Sequence, residues 1–182
     1  MNQDWAFLQA AMEDLEEYLS SPVLHWPLNQ RKAKRNGLNL PRLTLGNLCL
    51  AKARLLVLPE FKDLPDFLHA CEWLDQIRDQ WRANWSRKAE REFNERLRLW
   101  RAFVTDELVV EQSTSDYRNQ VRLRTMLELL IDELLNENLA QRNLMQSLDQ
   151  LVMDFTLPGP FIWDVKFQQA FPENRFWFLY RT

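Results

Sequence analysis

Three glycines in 182 residues limit what this chain can fold into. The tight turns of β-hairpins need backbone at positive φ, which glycine adopts without strain. A chain this poor in glycine is expected to form long helices joined by few sharp turns. The shortage also removes a glycine-rich phosphate loop, and with it the large nucleotide-binding folds. The length fits one domain, or one domain with an extension.

Helical periodicity is strong. Trp5, Leu8, Met12, Leu15 and Leu19 recur at the 3.6-residue period, and Ala11 and Tyr18 widen the stripe. They predict a first helix over about 4–20, capped by Asp4 and stopped by Pro22. A second helix is expected over about 44–57, ended by Pro59. Between them lies a long connection punctuated by Pro22, Pro27, Gly37 and Pro41. A third helix should start at Pro65, where proline fits a first turn. No breaker follows until about Val110, so it would be on the order of 65–70 Å long. The run "STSD" (113–116) signals a turn, and a fourth helix over about 116–155 should end at "LPGP".

The tail changes character. Phe161, Trp163, Val165 and Phe167 alternate with Ile162, Asp164, Lys166 and Gln168, which is strand periodicity. "FPEN" reads as a turn and "RFWFLYR" as a second strand. The expected fold is therefore mainly α, a single helical domain over 1–182. It is an elongated helical bundle built on a long antiparallel helical hairpin (65–155). Two shorter helices (1–64) pack against it, and a small C-terminal β-hairpin (156–182) covers part of it.

The stretch "WLDQIRDQWRANWSRKAEREFNERLRLW" (73–100) raises the question of nucleic-acid binding, since it mixes tryptophan with arginine. On a helical wheel Leu74, Trp81, Trp85, Ala89, Phe93, Leu97 and Val104 form one drifting ribbon. Arg87, Arg91, Arg98 and Arg101 cluster on the opposite side, whereas a nucleic-acid groove needs rings and cations to converge. The tryptophans are expected to pack between helices and the arginines to form a solvated face. Lys88–Glu92, Arg91–Glu95 and Glu92–Arg96 are spaced for local pairs. The ribbon recurs nearly every four residues, so it wraps round the helix. Either the helix bends, or different partners cover different lengths of it.

Charge runs in blocks. Residues 1–30 carry −5, 31–62 carry +7, 63–77 carry −4, 78–101 carry +4 and 102–182 carry −5. Acidic and basic blocks can neutralise one another within the chain, or an anionic partner can take the basic one. The best candidates for anion or nucleic-acid binding are Arg31, Lys32, Lys34, Arg35 and Arg42, extended by Lys52, Arg54 and Lys62.

Few residues support catalysis. Cys49 and Cys71 lie among apolar neighbours outside any C-x-x-C pattern, and are expected to act as small buried hydrophobes. His25 and His69 are the only histidines. Glu133, Glu137 and Gln141 fall within the apolar arc of the fourth helix, where a carboxylate must pair, neutralise or bind metal. Without a Glu-x-x-His motif a carboxylate metal enzyme is the weakest reading. The alternatives are an arginine partner for Glu137, or a local helix break at "NENLAQRN" (136–143). No metal and no cofactor is expected. The N-terminus lacks the pattern of a signal peptide, and no stretch has the ~18 apolar residues of a membrane span. A cytoplasmic, non-enzymatic protein-interaction or assembly component is expected, with no membrane role. Its partner would be another protein or a second copy, forming a homodimer. Phe176, Trp177, Phe178 and Tyr180 are the candidate partner contacts. Nucleic-acid binding through 31–62 is the alternative.

Overall fold

The computed structural model describes residues 2–28, 39–110, 114, 116–136 and 138–182. Of the described residues 75 % are helical, and the chain divides into two compact units, 1–92 and 93–182.

The first unit holds α1 (Gln3–Ser20), α2 (Leu45–Leu56), the single turn α3 (Pro59–Lys62), α4 (Pro65–Gln80) and the first half of α5 (Arg82–Ala102). The cap of α1 is Asn2 rather than Asp4. Its side chain accepts from the N–H groups of Asp4 and Trp5 at 2.9 and 3.3 Å. Asp4 instead lies in the first turn, where the helix dipole favours an acid. Thr44 caps α2 through Asn47 N–H. The predicted stripe of α1 packs on α2 and α4. Leu8, Ala11, Leu15 and Tyr18 are fully buried, as are Leu45 and Leu55 of α2. Trp5, Phe61 and Phe67 form a triangle of rings with centroids 5.7–5.8 Å apart. Trp26 and Leu43 exchange backbone hydrogen bonds at 3.0 and 2.8 Å, pinning the two ends of the long connection together.

The third helix is not continuous. Trp81 leaves helical geometry (φ −102°, ψ 24°) between α4 and α5. Its N–H still reaches Ile77 O, and its carbonyl still accepts from Trp85 N–H, both at 2.8 Å, so the interruption is local. A ribbon recurring every four residues drifts off one side of a regular helix, and a break re-aims the turns beyond it. After Ala102 the winding loosens into a π-helical segment, Phe103–Val110. Val104 and Leu108 lie about one turn apart on one face, and both are fully buried. Arg87, Arg91, Arg98 and Arg101 are exposed, as expected of a solvated face.

The second unit continues with α6 (Tyr117–Ile131) and α7 (Leu139–Phe155), then a 3₁₀ turn (Val165–Ala170), the single turn α8 (Glu173–Phe176) and a 3₁₀ turn (Trp177–Tyr180). The expected fourth helix is thus two helices. Asn138 starts α7 by accepting from Ala140 and Gln141 N–H at 3.0 and 3.4 Å. A good cap inside "NENLAQRN" favours a fresh start over continuation. α7 packs on the π-helical segment, and the Trp100, Phe103 and Tyr117 rings cluster.

The C-terminal β-hairpin is absent, and among the described residues there is no strand. The tail folds back through the Pro158–Arg181 bridge, with Leu157 and Thr182 exchanging backbone bonds at 2.9 Å. Gly159 fits this close approach, since a Cβ there would lie 3.0 Å from Thr182 Cγ2. Phe178, Leu179 and Tyr180 are buried in succession. A two-stranded ribbon would turn alternate residues outward, whereas a 3₁₀ turn keeps all three in the core.

Candidate functional site

A groove runs between α1 and α4 in the first unit. Trp5, Gln9, Met12 and Glu13 line it from α1, and Asp66, His69, Ala70 and Trp73 from α4; its volume is about 450 Å³. Each set is spaced i, i+3 or i+4, i+7, so each is one face of its helix. Trp5 is held edge-on against Phe67 at 5.8 Å. Trp5, Met12 and Trp73 are half-buried, Ala70 is buried, and Gln9, Glu13, Asp66 and His69 are exposed. The result is an apolar floor and walls with carboxylates at the rim. The sequence periodicity places Trp5 and Met12 on a core stripe and assigns His69 no role. The signal it lacked was the pairing of these two helix faces, which only the tertiary fold supplies.

Elsewhere in the first unit, charges are buried. Glu92 is 0 % exposed and accepts from Gly46 N–H at 2.9 Å, at the N-terminus of α2. A carboxylate there satisfies an orphan donor and meets the positive end of the helix dipole. Lys88, 3 % exposed, donates to Val23 O and lies 4.1 Å over the Tyr18 ring. Burial, followed by repulsion from Arg91 and Arg87, pushes its ammonium down to about 8. Sequence spacing placed Lys88 and Glu92 in surface pairs. The structure buries both, because polar groups of the α1 end and of α2 reach them.

In the second unit, Arg124 is the organising residue. It is 4 % exposed and grips Asp149 through Nε and Nη2, both at 2.9 Å. Nη1 donates to Glu128 at 2.9 Å, and the guanidinium lies 4.5 Å over the Phe178 ring. Burial opposes its charge, but the Asp149 and Glu128 bonds outweigh this and hold its pKa above the ordinary value. Arg175 joins the network through Glu128 and Asp132 at 3.0 and 2.8 Å. A cavity of about 190 Å³ opens onto this cluster, walled by Phe93, Ile131, Leu134 and Met145. Each of the three Arg124 nitrogens donates to a carboxylate, and the cavity offers a ligand chiefly apolar surface. The i,i+4 spacing of Arg124 and Glu128 was the one signal of this network in the sequence.

The sequence candidates are scattered by the fold. Arg31, Lys32, Lys34 and Arg35 lie outside the described residues, and so does Glu137. Arg42 is exposed and donates to His25 O at 3.3 Å. Lys52 pairs with Asp75 at 3.0 Å and Arg54 with Asp4 at 3.8 Å, so two of the extending bases neutralise acids of the same unit. Glu133 sits half-buried in the α6–α7 connection, where the arc of a continuous helix no longer applies. Among the described residues no three His, Cys, Asp or Glu side chains converge as a metal site. Phe176, Phe178 and Tyr180 are buried and Trp177 is half-buried. Tyr117 Oη donates to Phe178 O at 2.8 Å and Tyr180 Oη to Phe171 O at 2.9 Å, so these rings build the unit's own core. Cys49 and Cys71 are half-buried, and burial raises the Cys71 thiol. Among the described residues no helix is long and apolar enough to cross a membrane.

Comparison with protein-family models, with curated proteins and with solved structures found no match to this chain.

Proposed function

We propose that this chain is a non-enzymatic protein-interaction or assembly component, and that its partner seats in the α1/α4 groove. The observation that carries this reading is the pair of tryptophans, Trp5 and Trp73, that line an open groove together with Met12. Half-buried indoles supply large contact area with little side-chain entropy to lose, and they dominate the energetics of many protein interfaces. Methionine adds an adaptable apolar wall. Helix pairs with such a furrow commonly accept a segment of another protein.

A photo-crosslinking residue at Gln9, which faces the groove, tests the reading in cells. It should give one dominant protein adduct, absent when the same residue is placed at exposed Arg118, and strongly reduced by Trp73→Ala. Equal adducts at both positions, or an adduct indifferent to Trp73→Ala, would remove the groove as a docking site. A second copy of the chain would register in the same experiment as a crosslinked dimer.

A further inference from the structure

The cavity of the second unit lies against a buried cation whose donors are only partly used. Arg124 is 4 % exposed and lines the cavity together with its partner Asp149. A guanidinium carries five N–H donors and keeps its charge. Three are taken, two by Asp149 at Nε and Nη2 and one by Glu128 at Nη1. The second hydrogen on each Nη meets no acceptor among the described residues. Buried donors without acceptors are costly, and folded proteins leave few of them. The cavity is the open space from which an acceptor can reach this group.

We infer that this cavity binds a small, uncharged, single-ring organic molecule whose carbonyl or hydroxyl oxygen accepts from Arg124. The walls fix the ring. Phe93, Ile131, Leu134 and Met145 line the cavity, and Phe93 and Met145 are themselves buried. Its volume of about 190 Å³ fixes the size. An apolar cavity of about 150 Å³ holds one benzene, so there is room here for one ring and about two or three further heavy atoms. Drug-sized ligands take roughly 300 Å³ or more. The electrostatics fix the charge. Asp149 repels an anion from the same wall and Arg124 repels a cation, whereas a neutral oxygen meets the unused N–H groups without that cost. Gln146 lines the cavity and is exposed, so the ligand can enter from solvent. This inference does not rest on the groove of the first unit.

The probe is acetophenone, a ring with one carbonyl acceptor and no donor, titrated into the full-length chain carrying methyl-¹³C methionine. The Met145 resonance, assigned by Met145→Leu, reports the site. It should move with a dissociation constant of about 0.1–1 mM, in keeping with a ligand of this size. The infrared carbonyl stretch of the bound molecule should lie well below its frequency in an alkane, as a hydrogen-bonded carbonyl requires. Benzoate and benzylammonium share the ring and should bind at least about tenfold more weakly. Leu134→Trp fills the cavity from a half-buried wall and Gln146→Trp covers it from an exposed position. Each should weaken acetophenone roughly tenfold with unchanged circular dichroism. The surface position of Gln146 keeps that variant informative if Leu134→Trp fails to fold. The inference is overturned if Met145 stays still at about 10 mM acetophenone. It is overturned equally if benzoate or benzylammonium binds as tightly, or if the folded variants leave the affinity unchanged. A bound carbonyl at its alkane frequency would overturn the Arg124 contact and leave an apolar pocket only.

Discussion

Replacing Arg124 with lysine keeps the charge and removes the fork. The guanidinium makes three charge-assisted bonds, two to Asp149 and one to Glu128, all at 2.9 Å. A lysine can retain one of them. Bonds to charged groups contribute roughly 1.5–3 kcal/mol each, so losing two suggests about 3–6 kcal/mol. That range needs a discount. Glu128 and Asp149 are 16 and 17 % exposed, and water can reach their freed oxygens. About 2–3 kcal/mol is the working figure. With a urea dependence of roughly 1–3 kcal/mol per molar, the midpoint should fall by about 0.7–3 M. Urea unfolding by circular dichroism measures this, and hydrogen exchange over residues 117–155 checks that the loss lies in α6 and α7. Arg124→Met should cost more than Arg124→Lys, because it strands two carboxylates. Adding Asp149→Leu to Arg124→Met should recover part of the loss. An Arg124→Lys midpoint within about 0.2 M of wild type would refute the claim that the fork holds this unit together.

Other outcomes follow from single contacts. Tyr117→Phe removes only the hydroxyl that donates to Phe178 O, and leaves that buried carbonyl without its donor. Chemical denaturation should register a loss of about 1–2 kcal/mol, and no loss would mean the bond is not made in solution. Lys88 titrates near 8 in the folded chain, against an ordinary value of 10.5. Between those values the unfolded chain binds more protons, so stability should rise as pH climbs from about 8 to 10.5. Lys88→Met should flatten that rise, and an unchanged slope would assign it to another group. Asn138→Ala deletes the cap of α7 and should cost about 1 kcal/mol, with faster amide exchange confined to the first turn of that helix.

The helices themselves were legible because their cause is local. The stripe of α1, the second helix and the solvated arginine face follow from 3.6-residue periodicity and from residues that punctuate the chain. The break at Trp81 was foreshadowed by a ribbon that drifts round its helix, although its position was not. The tail misled because alternating aromatics resemble a strand until partners decide which rows are buried. There, Phe178, Leu179 and Tyr180 all found cover in a 3₁₀ turn, whereas a two-stranded ribbon would have turned alternate residues outward. The candidate site was mostly illegible. A groove is a property of two helix faces about sixty residues apart in the chain, and no local pattern pairs Met12 with Trp73.

The sequence alone determined that this chain is helical, poor in turns and divided into blocks of charge. These are properties of short windows, set by glycine scarcity and side-chain period. The tertiary structure decided which charges leave water and which stay in it. Glu92 and Arg124 are buried because a helix N-terminus and two carboxylates meet them there, whereas Glu13 and Asp66 remain on an open rim. Burial of a charge depends on partners distant in sequence, and those are fixed only when the helices pack.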